Sequence, residues 1–324
     1  MAVFAKKREP DAPIQYDLPA KSRSRAAEVW HRLKKNRGAI VSLIIISVLV
    51  LCAIFADVLY DYEEVVIKMN TPQRLISPTL GLFFQKEAWQ EFGIGIFAQA
   101  FKHPFGTDEL GRDILARVIH GTRISLSVGV VATLIGAVLG ILLGAVAGYY
   151  GGKIEDVIMR IADIFIAIPV NLLAVVVVAA LGQSIFNLML AIGICSVPRF
   201  IRVTRSSIMS TRNQEYIEAE RALGVRDFSI IFKTALPNSL SQVFVYATLN
   251  VATSIVSVSA MSFIGLGIPA PRPEWGSMLS AGRGYLRDYS YMTLFPGLAI
   301  MLTILSFNML GDGLRDALDP KTKR

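Results

Sequence analysis

The chain has 324 residues, 18% of them charged, a formal net charge of +8 and a mean hydropathy of +0.51. So apolar a composition excludes an ordinary soluble domain, and it excludes intrinsic disorder equally. The apolar residues are gathered into blocks long enough to cross about 30 Å of hydrocarbon, a distance that takes roughly 20 helical residues.

Six blocks are expected to span, at about 38–60, 124–148, 164–182, 185–203, 239–267 and 290–311. The ten-residue alternation of a membrane barrel is absent, so the spans are helices and the fold class is an all-α integral membrane protein. Lys and Arg set the orientation. Residues 1–37, 149–160, 199–238 and those after Gly313 hold 10, 2, 7 and 4 of them, or 23 in all; segments 61–123 and 268–290 hold 7 and 3, or 10. Both termini and the 199–238 segment are therefore placed in the cytoplasm. The asymmetry explains the basic charge through the lipid bilayer, and no nucleic-acid partner is needed.

In chain order, residues 1–37 read as a cytoplasmic tail with an interfacial helix. Ala26, Val29, Trp30 and Leu33 share a helical face, which suits either a helix lying on anionic headgroups or a plain topology signal. Residues 38–60 form the first transmembrane helix. The block follows a long lead and lacks a small-residue cleavage site, so it is expected to be retained as an anchor. Residues 61–123 form an extracytoplasmic segment. Its apolar patches, Leu80–Phe84 and Phe92–Phe101, are too short to span; packing on a partner, dipping into the interface and forming a small core all remain open. After it, Thr107 is placed to cap a short amphipathic surface helix, with Asp108/Arg112 and Asp113/Arg117 as i,i+4 pairs. Catalysis by Asp108, Glu109 and Asp113 is conceivable, but paired surface charges explain them more simply.

Residues 124–311 form a five-helix core. The second span carries Ala132, Gly136, Gly140, Gly144 and Gly148, a smooth face of small residues every four positions that marks a close helix–helix contact. The spans hold neutral polar residues, among them Asn171, Asn250 and Ser254, which are candidates for lining a solute path. No charge sits at mid-depth, which argues against an ion-coupled carrier. Cys52 and Cys195 lie inside spans and read as small apolar residues. The three histidines are scattered outside the spans, so neither a metal site nor a cofactor is expected.

Within the core, about 204–238 forms a cytoplasmic loop. Glu215, Glu218 and Glu220 precede Arg221, in the charge order of a helix. Gly224 breaks it. Asp227 is placed to cap a second short helix, and Leu236-Pro237 to close that helix and redirect the chain into the fifth span. Ordinary helix connections run about 2–8 residues, so a helix-rich connector several times longer is expected to dock something. Residues 312–324 form a second cytoplasmic tail.

The loop resembles the signature of ABC-importer membrane subunits: Glu-Ala-Ala, three residues, Gly, nine residues, Ile, one residue, Leu-Pro. Here Glu218-Ala219-Glu220, Gly224 and Leu236-Pro237 keep the frame. Glu220 stands where the family usually has Ala, and Thr234 where it has Ile. Phe105-Gly106-Thr107-Asp108-Glu109-Leu110-Gly111-Arg112-Asp113, Phe263-Ile264-Gly265-Leu266-Gly267, Pro273-Glu274-Trp275-Gly276, Leu310-Gly311-Asp312-Gly313-Leu314-Arg315 and Leu318-Asp319-Pro320-Lys321 resemble the second, C-type permease of dipeptide, oligopeptide and nickel importers. The resemblance covers about 103–324 closely, the first span loosely, and 61–102 not at all.

It implies the type I ABC-importer permease fold and a coupling helix that docks on an ATPase. Glu218 becomes a polar anchor, Ala219 allows close approach, Gly224 makes the bend and Pro237 passes motion to the fifth span. The implied partners are a second homologous permease, two cytoplasmic ATP-binding subunits and an extracytoplasmic solute-binding protein. The chain itself has no phosphate-binding loop, since Gly151-Gly152-Lys153-Ile154 lacks the first Gly and the hydroxyl; it is expected to be a transport subunit and not an enzyme. Peptides are the implied solute. Nickel, glutathione or oligosaccharides are the alternatives within the same architecture, and a stand-alone secondary carrier is the alternative outside it.

Overall fold

The structure, a computed structural model, describes residues 25–84, 88, 95, 97 and 100–318. The expectations for the tail before Arg25, for most of the Phe92–Phe101 patch and for the Leu318–Lys321 motif beyond its first residue lie outside that range. Among the described residues there is no strand, only one isolated bridge between Thr107 and Asp113.

The helices are α1 (Arg25–Leu33), α2 (Arg37–Leu59), α3 (Ile114–Tyr150), α4 (Gly152–Ala167), α5 (Val170–Leu181), α6 (Ile185–Thr211), α7 (Glu215–Ala222), α8 (Asp227–Phe263), α9 (Trp275–Gly282) and α10 (Tyr291–Leu318). Five of them, α2, α3, α6, α8 and α10, are long and apolar enough to cross a membrane. The sixth expected span, 164–182, is not one helix. It belongs to α4 and α5, which pass the same test only as a pair and bend by 88° at their junction. The cause is Pro169, which lacks an N–H and forces the residue before it out of the helical region. Ile168 is accordingly extended, at φ −91°, ψ 128°.

The expected surface helix at 107–119 is also corrected. Residues 107–112 form a tight turn, and the helix starts at Ile114, running on into the second span as α3. Its N-cap is Asp113, which accepts from the Ala116 N–H at 2.9 Å. The charges there are buried: Asp108 accepts from Arg112 Nε at 2.7 Å and lies 3.6 Å from Arg117 Nε. Asp113 pairs with His103 at 2.9 Å in place of Arg117. Arg117 donates instead to the Val66 carbonyl. Residues 62–79 fold over this turn, with the Asn70 N–H on Leu110 O, the Leu75 N–H on Asp108 O and Thr107 Oγ1 on Gln73 O. Part of the stretch left open by its sequence therefore makes a small polar-cored cap on the start of α3.

The core is a bundle of α3, α6 and α8, flanked by α2 and α10. Its largest cluster joins Val128, Leu188, Ile192, Val258 and Met261, with Ala174 and Val178 of α5 packed in. Helix α1 folds back on the end of α10. Leu33 and Val29 meet Leu310, Leu314 and Ala317, so part of the face expected on headgroups is spent within the chain. Trp30 stays exposed, with Lys34 Nζ 5.0 Å from its ring centroid.

Candidate functional site

Helix α7 is short and polar, with Glu215 and Glu218 in its first turn and Arg221 in its last, the arrangement favoured by the helix dipole. One residue anchors it. Ile217 is fully buried among Ala145, Tyr149, Ile208, Ile230, Ile231 and Ala235. Glu218 and Ala219 are exposed on the opposite side. The helix ends in paired capping bonds: the Gly224 N–H reaches Arg221 O at 2.9 Å and the Val225 N–H reaches Glu220 O at 3.1 Å. Gly224 sits at φ +76° with open space where a side chain would be, so backbone conformation alone demands glycine here.

Asp227 is not an N-cap. Arg226 holds that position without a side-chain bond, and Asp227 is the first helical residue. Its carboxylate accepts from the Tyr149 hydroxyl at 2.8 Å. Arg221 Nε donates to the same hydroxyl at 3.2 Å, with its guanidinium 4.8 Å from the Tyr149 ring centroid. Tyr149 therefore ties both sides of the Gly224 corner to the end of α3. The same helix end is capped by Arg212, which donates to Gly148 O at 2.9 Å.

Leu236-Pro237 does not redirect the chain. Helix α8 runs from Asp227 to Phe263 without a break. Residues Ile230–Ala235 form a π-helical turn, and the Leu236 N–H bonds to Ile231 O five residues back. The wider turn lets the helix pass a residue that has no N–H of its own. Leu236 packs against the Ile217 cluster while Pro237 is exposed. Around the corner Tyr216, Leu223, Val225 and Phe228 are exposed, Leu223 to 83%. A short helix with a single buried anchor thus presents acidic and apolar side chains together.

The small-residue face of α3 meets α6. A Cβ on Gly136 would lie 2.9 Å from Gly193 O, on Gly140 2.9 Å from Val197 O, on Gly144 2.7 Å from Ile201 O, and on Gly148 2.8 Å from Arg205 O. Of the pathway candidates, Asn250 and Ser254 are buried between α8 and α3. Asn250 Nδ2 donates to Thr133 Oγ1 at 3.1 Å and lies 3.3 Å from Ser254 Oγ. Asn171 is exposed just after the bend into α5, apart from those two. The structure therefore does not bring the three together.

Two residues that the sequence reading gave no role carry local structure. Tyr149 follows the last ladder glycine, which is the only hint of its place. Glu274 is fully buried and caps α9, accepting from the N–H groups of Gly276 and Ser277, both at 2.8 Å. Burial pushes its carboxyl above the ordinary value, against the pull of the hydrogen bonds from Gly276, Ser277 and Ser125. Among the described residues no group of three His, Cys, Asp or Glu could hold a metal.

A multi-pass helical bundle with a short polar helix held at one end of its core is the build of a membrane permease. The chain belongs to the family described as the binding-protein-dependent transport system inner membrane component, which it matches over residues 140–324. Residues 24–78 match the N-terminal transmembrane domain of oligopeptide transport permease C. The dipeptide transport system permease protein DppC of Alkalihalophilus pseudofirmus is 44% identical over 91% of this chain and 90% of its own length. The di/tripeptide transport system permease protein DppC of Pseudomonas aeruginosa is 38% identical over 97% and 96%. The glutathione transport system permease protein GsiD of Escherichia coli is 40% identical over 91% and 90%. Among solved structures, a chain of the MetNI methionine ABC transporter in an inward-facing conformation covers 64% of this chain and 98% of its own length, at a TM-score of 0.53 and 18% identity. That likeness gives the fold, in agreement with the type I permease fold implied by the motifs.

Proposed function

We propose that this chain is the C-type permease subunit of an ATP-driven importer of di- and oligopeptides in a bacterial or archaeal cytoplasmic membrane. In that reading α4 and α5 together make the sixth span and both termini are cytoplasmic. Helix α7 is then the coupling element, and it docks on one of two ATP-hydrolysing subunits. A second, homologous permease completes the path, and an extracytoplasmic binding protein delivers solute. The observation that carries the reading is the Gly224 corner. It exposes Glu215, Glu218, Ala219, Leu223 and Phe228 at one surface while Ile217 and Tyr149 fasten it to α3 and α8. A mere connector has no use for an exposed apolar rim on a rigidly held helix.

Peptide as the solute rests on the relatives, whose names specify dipeptides, di/tripeptides and glutathione. All are short chains of amino acids, which neutral span interiors suit. Asn171 stays a candidate for the path because it is exposed. The burial of Asn250 and Ser254 supports a packing role for them instead.

The test is purification of the whole complex. An ATP-hydrolysing chain should co-purify, and Gly224→Asp or Glu218→Arg should release it. In sealed vesicles, a peptide held by the binding protein should enter only with ATP. Uptake by this chain alone, without nucleotide, would overturn the reading.

A further inference from the structure

The two positions at which the loop departs from its family's pattern touch each other. Thr234 Oγ1 donates to Glu220 Oε1 at 3.0 Å, across 14 residues of chain and the Gly224 corner. Glu220 lies on α7 and Thr234 in the π turn of α8. The bond is not what a helical threonine does by default. Elsewhere in this chain Thr122, Thr248, Thr253 and Thr303 each donate to the carbonyl four residues back. Thr234 points its hydroxyl across to another helix. The other carboxylate oxygen of Glu220, Oε2, is buried and has no hydrogen-bond partner. The carboxylate thus rests on Thr234 for its side-chain donor, and burial makes that donor hard to lose.

Position gives the bond its effect. The covalent route from α7 to α8 passes through Gly224, a residue at φ +76° with nothing within 4 Å of where a side chain would start. A push on α7 delivered through such a corner would be taken up by the turn. Three non-covalent links bypass it: the greasy seat of Ile217 on Ile230 and Ile231, the Arg221–Tyr149–Asp227 hydrogen bonds that run by way of α3, and the direct Glu220–Thr234 bond. A greasy seat resists separation and tolerates sliding. A hydrogen bond fixes the register. The π turn it reaches is continuous with the rest of α8, which contacts both α3 and α6.

We propose that Glu220 and Thr234 are a matched pair of positioning residues. They lock α7 onto the π turn, so that displacement of α7 moves α8 and is not absorbed at Gly224. The proposal rests on α7 being the coupling element. The matching is the new content: neither residue works without the other, and an apolar pair serves in their place.

The experiment uses the assembled transporter in sealed vesicles, with peptide imported per ATP hydrolysed as its readout. Thr234→Val keeps the shape and strands the carboxylate; it should lower the ratio by about three- to tenfold. Glu220→Ala should lower it less, because the freed hydroxyl can turn to its own helix. Thr234→Ser should match the parent. The double variant Glu220→Ala/Thr234→Val should return to within about twofold of the parent, since removing both partners leaves nothing unsatisfied. Single variants indistinguishable from the parent, or a double variant as poor as the product of the singles, would overturn the proposal. Failure of the underlying reading looks different: no ATP-hydrolysing chain would co-purify even with the parent.

Discussion

The α3–α6 seam and the Gly224 corner are both built on glycine, for opposite reasons. Along the seam, Gly136, Gly140, Gly144 and Gly148 have ordinary helical backbones and no room, with carbonyls of α6 within 2.9 Å of where a side chain would start. At the corner, Gly224 has room on every side and a backbone that side chains resist. Glycine gives close approach in one place and a turn in the other. The first holds α3 against α6 by close backbone packing, with a polar bond at its end, where Arg212 donates to Gly148 O. The second lets a helix stand away from that pair, so what holds the corner must be side chains. Tyr149, Arg221, Asp227, Glu220 and Thr234 supply that hold.

The largest effect separating the two regions comes from the seam. Gly144→Leu places a Cβ 2.7 Å from both Ile201 O and Thr204 Cβ before any further atom is added. Neither neighbour can retreat, because one is backbone and the other starts a buried side chain. We expect a cost of about 3 kcal/mol or more, read as lost monodisperse protein and a lower unfolding temperature in detergent. A well-folded Gly144→Leu protein would show that the seam is looser than its geometry.

A second close approach tests whether caps matter where glycine packs. Gly276 on α9 lies against Ser259 of α8, where a Cβ would fall 2.8 Å from the Ser259 carbonyl carbon. Glu274 holds that end of α9 by two N–H bonds. Glu274→Ala should cost about 1–2 kcal/mol, and Glu274→Gln less, because the amide oxygen still accepts. The pH dependence has a definite sign. Burial raises the carboxyl in the folded protein, so the folded state binds the proton more tightly. That contribution is fully present below the unfolded value of about 4.3 and is lost as pH rises through the folded value. Thermal unfolding of Glu274→Gln against pH should lack this slope.

The two regions were also unequally legible. The seam could be read from spacing, because a residue every four positions needs only helical geometry to become a face. The corner could be read from the Gly224 break and the charge order of Glu215, Glu218 and Arg221, both local signals. Long-range partners could not. Nothing near Asp227 points to Tyr149, 78 residues earlier, and a plausible local role as a cap displaced the true one. Pro237 misled in the same way: a proline before a span suggests a bend, and only a π turn upstream makes it harmless. Pro169 falls inside an apolar run that reads as one span, and the run hides its 88° bend. Asp108, Arg112 and Arg117 looked like cheap surface pairs because their cover includes residues 62–79, a stretch whose fold the sequence left open. Local chemistry survives in a sequence; burial by a distant segment does not.

Gly224 itself should give a smaller effect than the seam and a different kind. Gly224→Ala meets no atom, so its cost is the backbone's alone, about 1 kcal/mol. Asn tolerates the left-handed region better, and Gly224→Asn should fall between. Both variants should fold and insert. Their deficit should appear in ATP hydrolysis stimulated by loaded binding protein, with Ala worse than Asn. A seam glycine shows the reverse profile, failing before any coupling can be measured. Equal tolerance of Ala and Asn would mean that the corner's conformation is set elsewhere.

The smallest effect belongs to Tyr149→Phe, which bears most directly on how the two regions communicate. The ring stays packed beside Ile217 and Ile208, so the seam is untouched. The hydroxyl alone is lost, and with it the bonds to Asp227 and Arg221. Both partners face solvent and can bind water instead, so the loss should be only about 0.5–1 kcal/mol. Unfolding temperature should barely move. If the hydroxyl serves to keep the corner in register with the end of α3, peptide moved per ATP should still fall measurably. If it only satisfies a polar edge, both readouts stay level, and α7 then depends on Ile217 and the Glu220–Thr234 bond alone. The variant therefore decides whether the corner is held from one side or from two.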